Sequence, residues 1–330
     1  MKRIVFLGNK QTELRALPDQ NPGKGEVLIE RKSSALCGSE MKDWRGAGIP
    51  GGNPGHEAVG VIVAFGEGVP KSRLGERIGV SAIVGCGTCP ECQAGRPTWC
   101  DKKSFHCNTH ADTFIYPAAG CLPLPEEASW DEGVLLSGDG LGVPYHTSRK
   151  LTDPGIQTIV VFGLGPIGLG SVLLQSHFGR KVIAVDVGED RLQLARDLGA
   201  AEVIHGKNED AVKRILELTS GTGADAAIEA AGSPITLKQA FSAVAKGGIV
   251  AMNGEIPEAT LSPSDDFIRR DVRAVGSWFY HVNEYEPMIR LWRAGLAVKK
   301  LVTHHFPLEK APEAYAVMDN RQGGKVFLAA

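Results

Sequence analysis

Cys86, Cys89, Cys92 and Cys100 stand together in GCGTCPECQAGRPTWC, a C-x-x-C-x-x-C run followed after seven residues by a fourth cysteine. Four thiolates complete the tetrahedral shell of Zn²⁺ and leave no position for a substrate. The chemistry implied is therefore structural: a metal crosslinks a polar, glycine-rich loop that cannot pack by itself. An iron–sulfur cluster takes the same four donors and is the alternative. A second set of metal-competent groups is dispersed: Cys37 in ALCGSE, the His56–Glu57 pair in PGHEAVG, and Asp139 in LLSGDGLG. Taken singly, each has an ordinary explanation as a buried thiol, a hydrogen-bonded histidine or a capping or surface carboxylate.

A third constellation is phosphate chemistry. Gly163, Gly165 and Gly168 in VVFGLGPIGLG form G-x-G-x-x-G between an apolar strand pattern and a helix pattern, with Pro166 and Ile167 opening the helix. In that context the first glycine permits a tight turn, the second lets backbone approach a pyrophosphate, and the third lets helix and strand pack closely. The free N–H groups of the helix N-terminus face the phosphate charge. Asp186 ends the next strand pattern eighteen residues after Gly168, where a carboxylate accepts hydrogen bonds from the adenosine ribose and repels a 2′-phosphate, favouring NAD over NADP. Arg191, five residues on, is placed to stack on the adenine or to counter a phosphate, which keeps NADP open.

These groups need a scaffold, and 330 residues with 43% hydrophobic and 22% charged side chains supply a soluble globular chain of two domains. From Thr158 onward, apolar runs alternate with amphipathic segments, the pattern of a doubly wound α/β domain. Strands are expected at Thr158–Phe162, Val182–Asp186, Val203–His205, Ala226–Glu229, Ile249–Asn253 and Val272–Gly276. Helices are expected at Ile167–Phe178, Asp190–Leu198, Glu209–Thr219 and Ile235–Ala245. The first part, with runs at Val27–Glu30, Ala58–Val63 and Arg77–Val80, reads as a mostly β unit. The closing run Lys325–Ala329 reads as one more strand, available to pair with that unit. A net charge of −2 gives no basic field for nucleic acid. The chain carries no signal-peptide pattern and no membrane-spanning apolar stretch, so a cytoplasmic protein with reduced thiols is expected.

The joint appearance, in order, of Cys37-Gly38-Ser39, Gly55-His56-Glu57-x-x-Gly60, the four-cysteine lobe and Gly163-x-Gly165-x-x-Gly168 resembles the zinc-containing medium-chain dehydrogenase/reductase family over essentially the whole chain. The resemblance implies a GroES-like, mostly β catalytic domain from residues 1–138 and 277–330 and a Rossmann NAD-binding domain from residues 139–276, with two zinc ions per chain. By position, Cys37 and His56 are implied as ligands of a catalytic zinc, Glu57 as a nearby carboxylate, and Ser39 as the hydroxyl that bonds the substrate oxygen and starts a proton relay. Glu40 replaces an aspartate that holds the ligand histidine, Lys42 stands where some members have a relay histidine, and Trp44 falls where a side chain either lines the cleft or is buried in the core. Asp139 falls where polyol and threonine dehydrogenases have a glutamate, in a segment E-P-L-G similar to Asp139-Gly140-Leu141-Gly142. That places the sequence on their side of the family, with an aspartate one methylene shorter. The implied activity is hydride transfer between a secondary alcohol (polyol, sugar, cyclitol or amino alcohol) and its ketone with NAD, by a homodimer or homotetramer. Two other readings compete with it: a non-catalytic NAD- and zinc-binding redox sensor, and a zinc-free NADPH enoyl or quinone reductase of the same fold.

Overall fold

The computed structural model describes residues 1–329. Its centre is a six-stranded parallel sheet in the order Glu202–His205, Lys181–Asp186, Thr158–Phe162, Ala224–Glu229, Val244–Met252, Arg273–Gly276. The run TIVVF is apolar without alternation because helices cover both faces. Ile159 and Val161 enter one core, whereas Val160 and Phe162 enter the other, as a strand's period of two requires. The order reverses beside Thr158–Phe162, which opens a crevice at the carboxyl ends of the strands.

Expected and observed elements differ at their ends, for local reasons. The helix expected from Glu209 begins at Ala211, because the Asp210 side chain caps it by accepting from the Lys213 N–H at 3.1 Å. The helix expected to reach Ala245 stops at Ala243. Val244 already pairs with Ala224 in the sheet, ahead of a turn at Gly247 with φ +76°.

A seven-stranded sheet carries the other half of the molecule. Its path runs Val302–Pro307, Lys325–Ala329, Glu26–Ala35, Glu57–Phe65, Arg77–Val80, Cys121–Pro123, with Thr113–Pro117 also paired to Glu26–Ala35. The C-terminal run therefore pairs with the first unit, antiparallel to Glu26–Ala35. This register matters for the chemistry. Ala35 is opposite both Glu57 and Phe327, so Cys37, Glu57 and Lys325 all arrive at the same end of three adjacent strands. Helix Ala311–Asp319 closes that end, packing Tyr315 and Met318 on Phe6, Leu36 and Trp44. Among the described residues no helix is long and apolar enough to cross a membrane.

Candidate active site and metal centres

The strand ending at Ala35 delivers Cys37 into a short 3₁₀ turn, Gly38–Glu40. His56 precedes the strand that begins at Glu57, and Asp139 is the first residue of a buried helix, Asp139–Ser148. The dispersed quartet thus meets: one ligand atom each from Cys37, His56, Glu57 and Asp139 lie within 4.8 Å of one another. Asp139 Oδ2 is 3.1 Å from His56 Nε2 and 3.7 Å from Cys37 Sγ, so the shorter aspartate reaches the centre of the cluster.

His56 is oriented by its other nitrogen. Nδ1 lies 2.9 Å from the Pro54 carbonyl, which can only accept, so the proton sits on Nδ1 and Nε2 is the nitrogen turned to the cluster. Burial opposes a charge on this ring, but its hydrogen bonds to Asp139 and Cys37 outweigh burial and hold its pKa well above the usual histidine range. A proton on Nε2 here occupies the place of a cation.

Glu57 has a partner at each oxygen. Its Oε1 is ion-paired with Lys325 Nζ, and its Oε2 accepts the Asp139 N–H at 3.0 Å. Both Glu57 and Lys325 are 1% exposed. The negative charges of Glu57, Cys37 and Asp139 keep the buried ammonium protonated against desolvation. The Lys325 ammonium and the proton held by His56 are the positive charges among these acidic groups, and a bound cation would take the place of that proton. The cluster's mixed N, S and O donors are those of Zn²⁺, so a divalent zinc fits on charge and on donor type.

Two buried residues lie close to Cys37 in the chain, Glu40 and Trp44. Glu40 does not hold His56: its Oε1 accepts the Cys37 N–H at 3.1 Å, and its Oε2 takes His110 Nε2 at 3.2 Å together with the Tyr315 hydroxyl. His110 in turn meets Ser34 Oγ at 3.0 Å. The Glu40 carboxylate belongs to this buried set, where His110 and Tyr315 hold its pKa below the usual range despite full burial. Trp44 does not line a cleft. It is 3% exposed and stacked on Tyr315 at 5.8 Å in the core. Ser39 and Lys42 are both exposed, with Ser39 two residues from Cys37 on the same turn.

The four-cysteine lobe closes as its spacing requires, with the sulfurs of Cys86, Cys89, Cys92 and Cys100 within 4.8 Å of one another. The Cys86 N–H donates to Cys100 Sγ at 3.4 Å. Arg96 ties the lobe to Glu91 at 2.7 Å. Four sulfurs without a carboxylate or imidazole suit a structural zinc.

In the glycine loop, Gly163 has φ +86°, which L-residues rarely adopt. A Cβ on Gly168 would stand 1.8 Å from the Gly163 carbonyl oxygen, whereas one on Gly165 would meet nothing within 4 Å. Close packing and an open approach thus alternate along the loop, and Pro166 begins helix Pro166–His177 with Ile167 next to it. Asp186 holds this loop: Oδ2 accepts the Leu164 N–H at 2.6 Å, and Oδ1 accepts from Val187 and Gly188 at 2.7 and 2.9 Å. Arg191 is turned to the C-terminal segment, its Nε donating to the Gly323 carbonyl at 3.3 Å. Burial lowers its pKa and Asp186 partly offsets that. The helix begun by Asp139 touches helix Pro166–His177 directly, since a Cβ on Gly170 would lie 2.3 Å from the Gly140 carbonyl oxygen. Gly170 is four residues past Pro166, about 6 Å along the helix, so the metal-competent cluster and the phosphate-competent helix end are neighbours.

Residues 23–126 match the alcohol dehydrogenase GroES-like domain and residues 166–294 the zinc-binding dehydrogenase domain. The zinc-type alcohol dehydrogenase-like protein YphC of Escherichia coli (strain K12) is 32% identical, over 97% of this chain and 96% of its own. The chain belongs to the zinc-containing medium-chain dehydrogenase/reductase family. The L-threonine 3-dehydrogenase of Chromobacterium violaceum is 29% identical over 96% of this family member and 95% of its own length. The crystal structure of a short chain alcohol dehydrogenase from Escherichia coli CFT073, complexed with NADH, superposes with a TM-score of 0.88 at 26% identity, covering 100% of this chain and 99% of that one. The GroES-like plus Rossmann architecture follows, and with it an oxidoreductase of the alcohol dehydrogenase type. Sequence reasoning missed Lys325, His110 and Tyr315. Only the register of the C-terminal strand, invisible in sequence, brings Lys325 to Glu57.

Proposed function

We propose that this chain transfers a hydride between a secondary alcohol, of the polyol, sugar, cyclitol or amino-alcohol kind, and NAD. One observation carries the reading: Cys37 Sγ, His56 Nε2 and Asp139 Oδ2 converge at the start of a helix that packs on the cofactor helix. In this reading Cys37, His56 and Asp139 hold the catalytic zinc. Glu57, each of whose oxygens already accepts one hydrogen bond, sets charge and geometry beside it and keeps a lone pair on each oxygen that could join the metal's shell. Cys86, Cys89, Cys92 and Cys100 hold a second, structural zinc.

Zinc bound in the quartet supplies a Lewis acid that lowers the pKa of a substrate hydroxyl, and nicotinamide supplies the hydride acceptor. The protein's own groups do the rest. Asp139 and His56 fix the ligand set from two rigid elements. The exposed Ser39 hydroxyl takes the substrate proton toward solvent. The helix N-terminus at Gly165–Gly168 receives the pyrophosphate, and Asp186, already fixed by three backbone N–H groups, presents its remaining lone pairs to the ribose. A 2′-phosphate would stand against that carboxylate, so NAD is the cofactor. Residues 139–276 form the cofactor domain, and residues 1–138 with 277–330 the catalytic domain. The family resemblance supports a homodimer or homotetramer, and seven unpaired thiols fit a cytoplasmic setting.

The test is metal content with turnover. His56→Ala should lower zinc by about one ion per chain and spare the other, because the two clusters share no ligand, and alcohol oxidation should be lost with it. Ser39→Ala should keep both ions and lose roughly 10²- to 10⁴-fold in turnover. Full zinc and full activity in His56→Ala would overturn the assignment.

A further inference from the structure

Three aromatic side chains from two distant segments gather beside the metal-competent cluster. Phe105, on the short strand that follows the cysteine lobe, lies edge-on to the His56 ring at 5.2 Å. Phe279, in the stretch leaving the parallel sheet after Gly276, lies 6.1 Å from His56 and 5.8 Å from Phe105. Trp278 adds a third ring 4.8 Å from Phe279. These rings are not spent in the core: Phe105 is 49% and Trp278 45% exposed. Phe279 is held at φ +54°, a left-handed conformation that is an outlier for a bulky side chain and that persists where the surroundings over-determine it.

An exposed aromatic patch beside a metal-competent cluster is the kind of surface that receives the apolar face of a ligand. Building on the alcohol dehydrogenase reading, we propose that Phe105, Phe279 and Trp278 select a ring-shaped secondary alcohol, whose flat C–H face stacks on them while the carbinol oxygen meets the Cys37–His56–Asp139 cluster. This aromatic wall decides against an open-chain substrate on two grounds. Its only hydrogen-bonding group is the indole N–H, a donor, so hydroxyls pressed against it lose water without replacement. A saturated six-membered ring with equatorial hydroxyls turns them to its rim and offers the wall only C–H bonds. A flexible chain also loses several rotors on binding, where a ring has none to lose. An amino acid such as threonine brings two charged groups that three uncharged rings cannot pair.

The chemistry shared by possible substrates is the six-membered ring face, and two probes separate its sources: cyclohexanol, wholly apolar, and myo-inositol, hydroxylated at the rim. Initial rates with NAD on the zinc-loaded protein are compared with those for open-chain 2-butanol, sorbitol and L-threonine. Phe105→Ala, at an exposed position, should lower kcat/KM for the preferred ring alcohol roughly tenfold or more, and leave the open-chain alcohols within about threefold. Trp278→Ala should act in the same direction. A binding readout independent of turnover is the tryptophan emission of the zinc-loaded protein without nicotinamide. It should respond saturably to the ring alcohol, and the response should shrink in Trp278→Phe. Preference for an open-chain alcohol, or equal losses for rings and chains in Phe105→Ala, would overturn the proposal, as would a binding response unchanged in Trp278→Phe. Were no alcohol turned over, a Trp278-dependent response to the ring would uphold the ring site while refuting the dehydrogenase reading.

Discussion

Lys325 is the group whose removal tests the electrostatic account of the Cys37–His56–Glu57–Asp139 cluster. Its ammonium is 1% exposed and ion-paired with Glu57, itself 1% exposed, and Glu57 has one other partner, the Asp139 N–H. Replacing Lys325 by Met keeps most of the side-chain volume and leaves the Glu57 carboxylate buried with that single donor, close to the acidic Asp139 and Cys37. Breaking a buried pair from one side costs about 3–5 kcal/mol, because the surviving charge is uncompensated. Glu57 is pushed upward in pKa first by burial, then by Asp139, and Lys325 is the strongest opposing influence. Its loss should therefore drive Glu57 to take up a proton. Glu57→Gln combined with Lys325→Met removes both charges and should recover most of the stability lost. The assay is a double-mutant cycle by thermal unfolding of the zinc-loaded protein at neutral pH. For a cooperative unit of this size, 3–5 kcal/mol corresponds to roughly 5–10 °C in Tm. If Lys325→Met shifts Tm by less than about 2 °C, or if the two substitutions simply add, the pair is not the electrostatic tie of the cluster and the reasoning fails.

The remaining predictions concern other parts of the fold. Cys92→Ser should remove one zinc per chain and lower Tm more than it lowers turnover of the folded fraction, and an unchanged metal count would show that the lobe is not a zinc site. Asp186→Gly should weaken NAD more than it strengthens NADP, since it removes the proposed ribose acceptor and also the three backbone hydrogen bonds that hold the loop; an unmodified enzyme equally efficient with NADP contradicts this. His281 is 5% exposed, accepts or donates to Thr98 Oγ1 at 2.7 Å, and lies 4.8 Å from the His146 ring. Burial, then His146, lowers its pKa from 6.5 to about 4, with Glu284 opposing and Lys150 and Arg96 adding to the shift. The unfolded chain therefore binds this proton more readily than the folded one. The associated stability is complete above pH 6.5 and is lost as pH falls toward 4, about 3 kcal/mol in all. Unfolding measured from pH 7 to 4.5 should be less pH-dependent in His281→Gln, and parallel curves would exclude His281 as the titrating group.

What could be read in the sequence was whatever a short stretch of chain decides. The strands Thr158–Phe162 and Lys325–Ala329 are continuous apolar runs in their own right, and the glycine loop combines a turn, an approach and a close contact within six residues. The four cysteines lie within one loop and need no distant partner. The residues around Cys37 are different in kind. Glu40 stands where the family resemblance implies an aspartate, yet its carboxylate bonds His110 and Tyr315, seventy and 275 residues away. Trp44 follows it inward, because Tyr315 offers a ring to stack on. Lys325 reaches Glu57 only because Ala35 pairs with strands on both sides, a matter of register that local pattern leaves undetermined. The aromatic wall has the same origin: Phe105 and Phe279 are unremarkable in their own segments and meet only where the end of the cysteine lobe and the exit from the parallel sheet converge on His56. Ligand types are thus local properties of this chain, whereas the charge, orientation and shape that decide which alcohol reaches them are set by contacts between segments.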